Sequence, residues 1–145
     1  MKILLLPVLM LGCFLTSCTK STVGLIKTNN VYYSEKVDST SLAGTWILIS
    51  QSGGLTGATT NPSDNITISF DNSGNYKKNL NYAIAESGNY TIGLEKTIYY
   101  SDKIPVIYFA TSSRTYFNAV ALSNDSLSIS DNMYDGFSYL YKKLQ

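Results

Sequence analysis

Residues 66–82 read ITISFDNSGNYKKNLNY. Ile66, Ile68 and Phe70 alternate with Thr67 and Ser69, the two-residue period of a strand that buries one face. Asp71-Asn72-Ser73-Gly74 breaks the run, and a second run follows in which Tyr76, Lys78, Leu80 and Tyr82 share a face. Two alternating runs joined by a short segment with Asp and Gly predict an antiparallel hairpin, the Gly supplying the positive φ of the turn. The same segment has some character of a calcium loop, but it lacks the downstream Glu and the full ligand set. A turn accounts for it.

Outward from this hairpin the pattern repeats. Further strands are expected at 45–50, around Tyr90 and Ile92, and at 97–101, 106–112, 116–122, 127–130 and 137–142. Turn signals separate them at Ser101-Asp102-Lys103, Ser112-Ser113-Arg114, Ser123-Asn124-Asp125 and Asp135-Gly136. Strands spaced by about ten residues with short turns indicate an antiparallel meander. Such a sheet must hide its edges, and closure into a barrel does so. The class is all-β, with the folded domain over 41–145. The 51–64 segment, QSGGLTGATTNPSD, is too long and too rich in small residues for a tight turn. It reads as a lid over one barrel end or as a plain disordered connection.

Composition removes several functions. The chain has 145 residues, which argues for one domain, and a net charge of +1, which gives no basic face for nucleic acid. There is no His, which removes His triads, His metal sites and a His proton switch. Cys13 and Cys18 are the only cysteines, so the domain has no thiol nucleophile and no Cys cluster. The ten carboxylates lie mostly in turn segments, where Asp bonds local backbone. No Gly-rich phosphate loop leads from a strand into a helix. No catalytic residue, metal or cofactor is expected, and the chain is not read as an enzyme.

Residues 1–17 carry Lys2, an apolar run from Ile3 to Leu15, and the small residues Thr16 and Ser17. This is a secretory signal peptide, short for a bilayer span. Leu15-Thr16-Ser17-Cys18 resembles a bacterial lipobox. The resemblance implies cleavage before Cys18, diacylation of its sulfur by palmitate-like chains, and acylation of the new amine. Met10-Leu11-Gly12-Cys13 is a weaker second candidate, and a plain secretory signal is the bland alternative. Residues 18–40, polar and rich in Ser and Thr, read as the lipidated Cys and a flexible tether.

Five stretches point to a family. Leu42-Ala-Gly44-Thr-Trp46 holds a G-x-W motif; Ile68-Ser-Phe70-Asp-Asn-Ser-Gly74-Asn-Tyr76 and Gly88-Asn-Tyr90-Thr-Ile92 follow it; Asp125-Ser-Leu127-Ser-Ile129 leads to Tyr139-Leu-Tyr141-Lys142. In this order after a lipobox they resemble the small lipocalin-like lipoproteins of Bacteroidetes, over residues 41–145. The resemblance implies an eight-stranded up-and-down β-barrel in the cell envelope, with Gly44 and Trp46 packing at one barrel end. The T-D-Y type motif is missing, and no Arg follows the last strand. The one Arg, Arg114, is the candidate to stack on Trp46 as the family Arg does. Outer-membrane lipoproteins of these bacteria that reach the cell surface carry acidic residues after the lipidated Cys. None directly follows Cys18, which favours the periplasmic face. Asp38-Ser39-Thr40 and Asp125-Ser126-Leu127 also match the O-glycosylation triplet of this group.

The alternation places Tyr76, Lys78, Tyr108, Tyr116 and Asn118 toward the barrel interior. An inward ammonium and amide need partners, which a ligand, a bridging water or local backbone supplies. A β-bulge would reverse the parity. Two functions follow. In the first, the barrel binds a small apolar or amphiphilic ligand, with Lys78 facing an anionic head group, the tyrosines lining the apolar part and Asn118 fixing orientation. In the alternative, side chains fill the barrel, and the protein acts through its outer surface as a structural or interaction lipoprotein of the envelope. The membrane, through Cys18, is the expected partner in both.

Overall fold

The computed structural model describes residues 25–28, 31–34 and 36–145. Residues 1–17, read above as a signal peptide, and Cys18 lie outside the described residues. The elements in chain order are β1 (Leu25–Thr28), β2 (Val31–Ser34), α1 (Ser39–Leu42), β3 (Gly44–Gly53), β4 (Ala58–Thr60), β5 (Ile66–Phe70), β6 (Asn75–Leu80), β7 (Ala83–Glu95), β8 (Ile104–Ala110), β9 (Thr115–Ser123), β10 (Ser126–Asp131) and β11 (Phe137–Lys143). Strand β3 pairs with β5, each strand from β5 to β11 pairs with the next, and β11 pairs back to β3, all antiparallel. The result is a closed, eight-stranded, up-and-down barrel of the lipocalin-like kind.

The 66–82 hairpin forms as its alternation dictates, with Phe70 opposite Tyr76 and Ile68 opposite Lys78. Its turn is held by Asp71, whose Oδ1 accepts from the backbone N–H of Ser73 and Asn75 and whose Oδ2 accepts from Asn75 Nδ2. Gly74, at φ +82°, supplies the left-handed residue. The inward faces merge into one core. Trp46, Ile68, Ile107, Phe109, Val120 and Leu127 are each 0% exposed. Rings pack through it: Tyr76 edge-to-face on Phe109 at 4.7 Å, Phe70 edge-to-face on Tyr90 at 5.0 Å, and Phe109 tilted on Tyr116 at 5.3 Å between centroids. Burying each such side chain stabilises the fold by about 1.5–3 kcal/mol.

The end where β3 starts and β11 finishes is closed by the G-x-W motif. Trp46 Nε1 donates to the carbonyl of Leu42 at 2.8 Å, so α1 sits beneath the ring. The helix itself is held by a reciprocal cap: Ser41 N donates to Asp38 Oδ1 and Asp38 N to Ser41 Oγ. Above the ring lies Lys143 Nζ, 5.0 Å from the centroid. A Cβ at Gly44 would come within 3.0 Å of Lys143 Cε, and Gly44 has φ +124°. The glycine of the motif therefore serves both the backbone angle and the passage of the lysine stem.

Several expectations change. Residues 51–60 are not a disordered connection: β3 continues to Gly53, and Gln51–Gly53 pair with β4 across a turn containing Gly54 and Gly57, both at positive φ. Residues 97–101 form no strand. They belong to the connection between β8 and the 13-residue β7, a strand that the sequence shows only around Tyr90 and Ile92. Thr97, Ile98 and Tyr99 have strand propensity, but Ile98 and Tyr99 stay exposed, and no neighbouring strand claims them. Among the described residues, Val37 also belongs to the buried core. Within the segment read as tether, β1 and β2 pair antiparallel, and the β2 backbone lies against β9.

Candidate functional site

At the other end, the mouth, the barrel is closed by polar groups. The β6–β7 pairing slips by one residue between Lys78 and Asn79, which sets Glu86 opposite Lys78. Alternation along β7 then turns Glu86, Tyr90 and Ile92 to the same inward face. Glu86 Oε1 accepts from Tyr76 Oη at 2.8 Å and from Tyr116 Oη at 2.7 Å. Its Oε2 takes the Arg114 guanidinium at 3.1 Å. Arg114 lies over the Tyr116 ring, its Cζ 4.6 Å from the centroid. Lys78 Nζ sits 5.5 Å from the centre of the Phe109 ring. Deeper in, Asn118 is 7% exposed and donates from Nδ2 to Asp131 Oδ1 at 3.1 Å, while Asp131 Oδ2 accepts from Phe137 N.

The electrostatics follow from these contacts. Burial opposes the Glu86 charge, but the hydrogen bonds from Tyr116 and Tyr76, with Lys78 and Arg114 nearby, outweigh it and hold its carboxyl below the usual range. Burial pushes the Lys78 ammonium down, against the pull of Glu86 and Asp131. Burial and the bond to Glu86 push the Tyr116 hydroxyl up to about 12, and raise that of Tyr76 further. The two cations, Lys78 and Arg114, match the two carboxylates, Glu86 and Asp131. The cluster is a self-neutralising network in which each acid has donors of its own.

Four of the five residues placed inside by alternation are therefore together: Tyr76, Lys78, Tyr116 and Asn118. Tyr108 is not. Its hydroxyl donates to Glu95 Oε1 at 2.8 Å, and its ring packs outside the barrel on Phe117 and over Gly93. The run Ile104-Pro-Val-Ile-Tyr-Phe109 is apolar on both faces, so its alternation carries no sign, and Ile107 and Phe109 take the inward positions. Arg114 is also corrected. It belongs to the mouth, bonded to Glu86, and Lys143 holds the place over Trp46. Leu80 and Tyr82 leave the inward face as well, being 44% and 86% exposed around a turn with positive φ at Asn81 and Tyr82. Glu86 and Asp131 were missed as site residues. The signal for Glu86 was present, since it shares the parity of Tyr90 and Ile92.

Solvent-filled space lies around the barrel. A groove of about 630 Å³ runs beside Asp38, Tyr90 and Leu94, and another of about 600 Å³ lies outside the mouth between Glu86, Ser87, Ser113 and Arg114. In comparisons with protein-family models, with curated proteins and with solved structures, the chain matches none.

Proposed function

We propose that this chain is a lipoprotein of the bacterial outer membrane, anchored through acyl chains at Cys18, whose barrel is a solid scaffold acting through its outer surface in an envelope assembly. One observation carries the choice against a ligand carrier. Trp46, Ile68, Ile107, Phe109, Val120 and Leu127 have no surface that a water-sized sphere reaches, so no such void adjoins them. Ligand sites typically need about 300–1,000 Å³ of space. An amphiphile entering at the mouth would also have to displace Glu86 from two tyrosine hydroxyls and a guanidinium. The anchor rests on the Leu15–Cys18 motif, and several acyl chains make membrane attachment effectively permanent.

Native mass spectrometry of the full lipoprotein extracted from its source membrane tests the scaffold. The expected mass is that of the acylated chain alone; a reproducible extra small molecule overturns the solid-barrel reading in favour of a carrier. Cys18→Ser tests the anchor separately, by labelling with palmitate and by membrane fractionation. An unlabelled precursor or soluble chain is expected, whereas acylation that persists in Cys18→Ser and is lost in Cys13→Ser would place the anchor at the other cysteine.

A further inference from the structure

A third groove, of about 300 Å³, lies on the barrel wall away from the mouth network. The pairings put Ser52 opposite Ser138 and Ser138 opposite Ser130, so three serines line up across β3, β11 and β10. The next residue on that line, on β9, is Ala119. All four line the groove. Their side chains are small, so the floor is shallow and offers hydroxyls close to the sheet backbone. One wall is Tyr99 and Tyr100, from the connection between β7 and β8; Gly53 and Gly57 of the β3–β4 hairpin line it too. The tyrosine wall is fixed rather than loose. Ile98 N donates to Asn132 Oδ1 at 2.9 Å, and Tyr99 Oη donates to the carbonyl of Met133. Yet Tyr99 remains 52% exposed.

We infer that this groove is a binding site for a single pyranose ring. The inference rests on the reading that the protein works through its outer surface, and it names the chemistry of one place on that surface. A sugar ring has an apolar C–H face and a rim of hydroxyls that both donate and accept. A preset tyrosine ring matches the first, being broad and apolar with little rotamer freedom left to lose. A row of serine hydroxyls matches the second, because each also donates and accepts. The lining residues carry one charged side chain, Asp131, which already accepts from Asn118 and Phe137, so the groove favours a neutral ligand over an ion. Within the row the Ser130 and Ser138 hydroxyls bond each other, and the pair keeps one proton and free lone pairs to offer a sugar hydroxyl.

The test uses the full lipoprotein in detergent micelles. Methyl glycosides of glucose, galactose, mannose and N-acetylglucosamine are screened by saturation-transfer NMR, and binders are titrated calorimetrically. At least one glycoside is expected to bind in the millimolar range. Tyr99→Ala should weaken it more than tenfold, and Ser138→Leu, which fills the floor, should abolish it. Tyr99→Phe, which keeps the ring, should stay within about threefold of the parent. Thermal melts confirm that each variant is folded; should Ser138→Leu fail to fold, the Tyr99 pair decides. Absence of binding by all four glycosides, or binding that Tyr99→Ala leaves unchanged, overturns the proposal. Neither result bears on the solid barrel, which the retained-ligand measurement tests by itself.

Discussion

The two ends of the barrel use the same pairing, a cation over an aromatic ring, for different ends. At the closed end Lys143 covers Trp46, which is fully buried and bonded to a helix carbonyl. At the mouth Arg114 covers Tyr116, but its side chain is 64% exposed, and the ring's hydroxyl is committed to Glu86. The first plug is apolar area with one hydrogen bond. The second is a balanced set of charges whose members depend on one another. The contrast teaches that a small barrel has two routes to a filled interior, one through apolar area and one through matched charges.

The largest effect expected is at the closed end. Trp46→Ala should destabilise the protein by about 3–5 kcal/mol, the range for truncating a large aromatic in a core. Urea denaturation measures it, and a loss under about 1 kcal/mol would erase the distinction between the ends. At the mouth, Glu86→Leu leaves two tyrosine hydroxyls and the Arg114 guanidinium without their acceptor and removes the charge near Lys78. A cost of about 1–3 kcal/mol is expected, as for stranded polar groups. Glu86→Gln, which keeps an acceptor oxygen, should cost less than Glu86→Leu; the reverse order in the same experiment would mean that bulk rather than hydrogen bonding matters there.

The pH dependence separates the ends without large mutations. The folded-state value of Glu86 lies below its ordinary 4.5. Its contribution is therefore complete above that value and is lost as pH falls through the lowered one. The tyrosines act on the other side. Tyr116 is raised from 10.0 to about 12, so its contribution is present below 10.0 and fades as pH climbs toward 12. Tyr76 and Tyr141 shift in the same direction. Urea midpoints followed into acid should fall less steeply for Glu86→Gln than for the parent, and parallel curves would remove Glu86 from the acid response.

The smallest effects concern the cations. Arg114→Gln should shift the urea midpoint least of these variants, as loss of an exposed ion pair does. A double-mutant cycle of Arg114 with Tyr116 should show coupling of about 0.5–1 kcal/mol. The cycle of Arg114 with Trp46 should return additivity within about 0.5 kcal/mol. Coupling to Trp46 and none to Tyr116 would invert the assignment of the two cations.

The sequence by itself determined the barrel and its direction of folding. Period-two runs such as Ile66–Phe70, punctuated by turns such as Asp71–Gly74, leave an antiparallel meander as the economical reading. Alternation also placed Tyr76, Lys78, Tyr116 and Asn118 inside. It was silent where both faces of a strand are apolar, and so the inward choice between Tyr108 and its neighbours waited for the register of β8 against β7 and β9. Only the tertiary structure decided which groups answer Lys78 and Asn118. Glu86 and Asp131 come from other strands, and the one-residue slip beside Lys78 that sets Glu86 opposite it has no signature in a local pattern. The cation over Trp46 was decided in the same way. Lys143 reaches that ring because the last strand closes on the first, a contact between residues at opposite ends of the domain that no local period encodes.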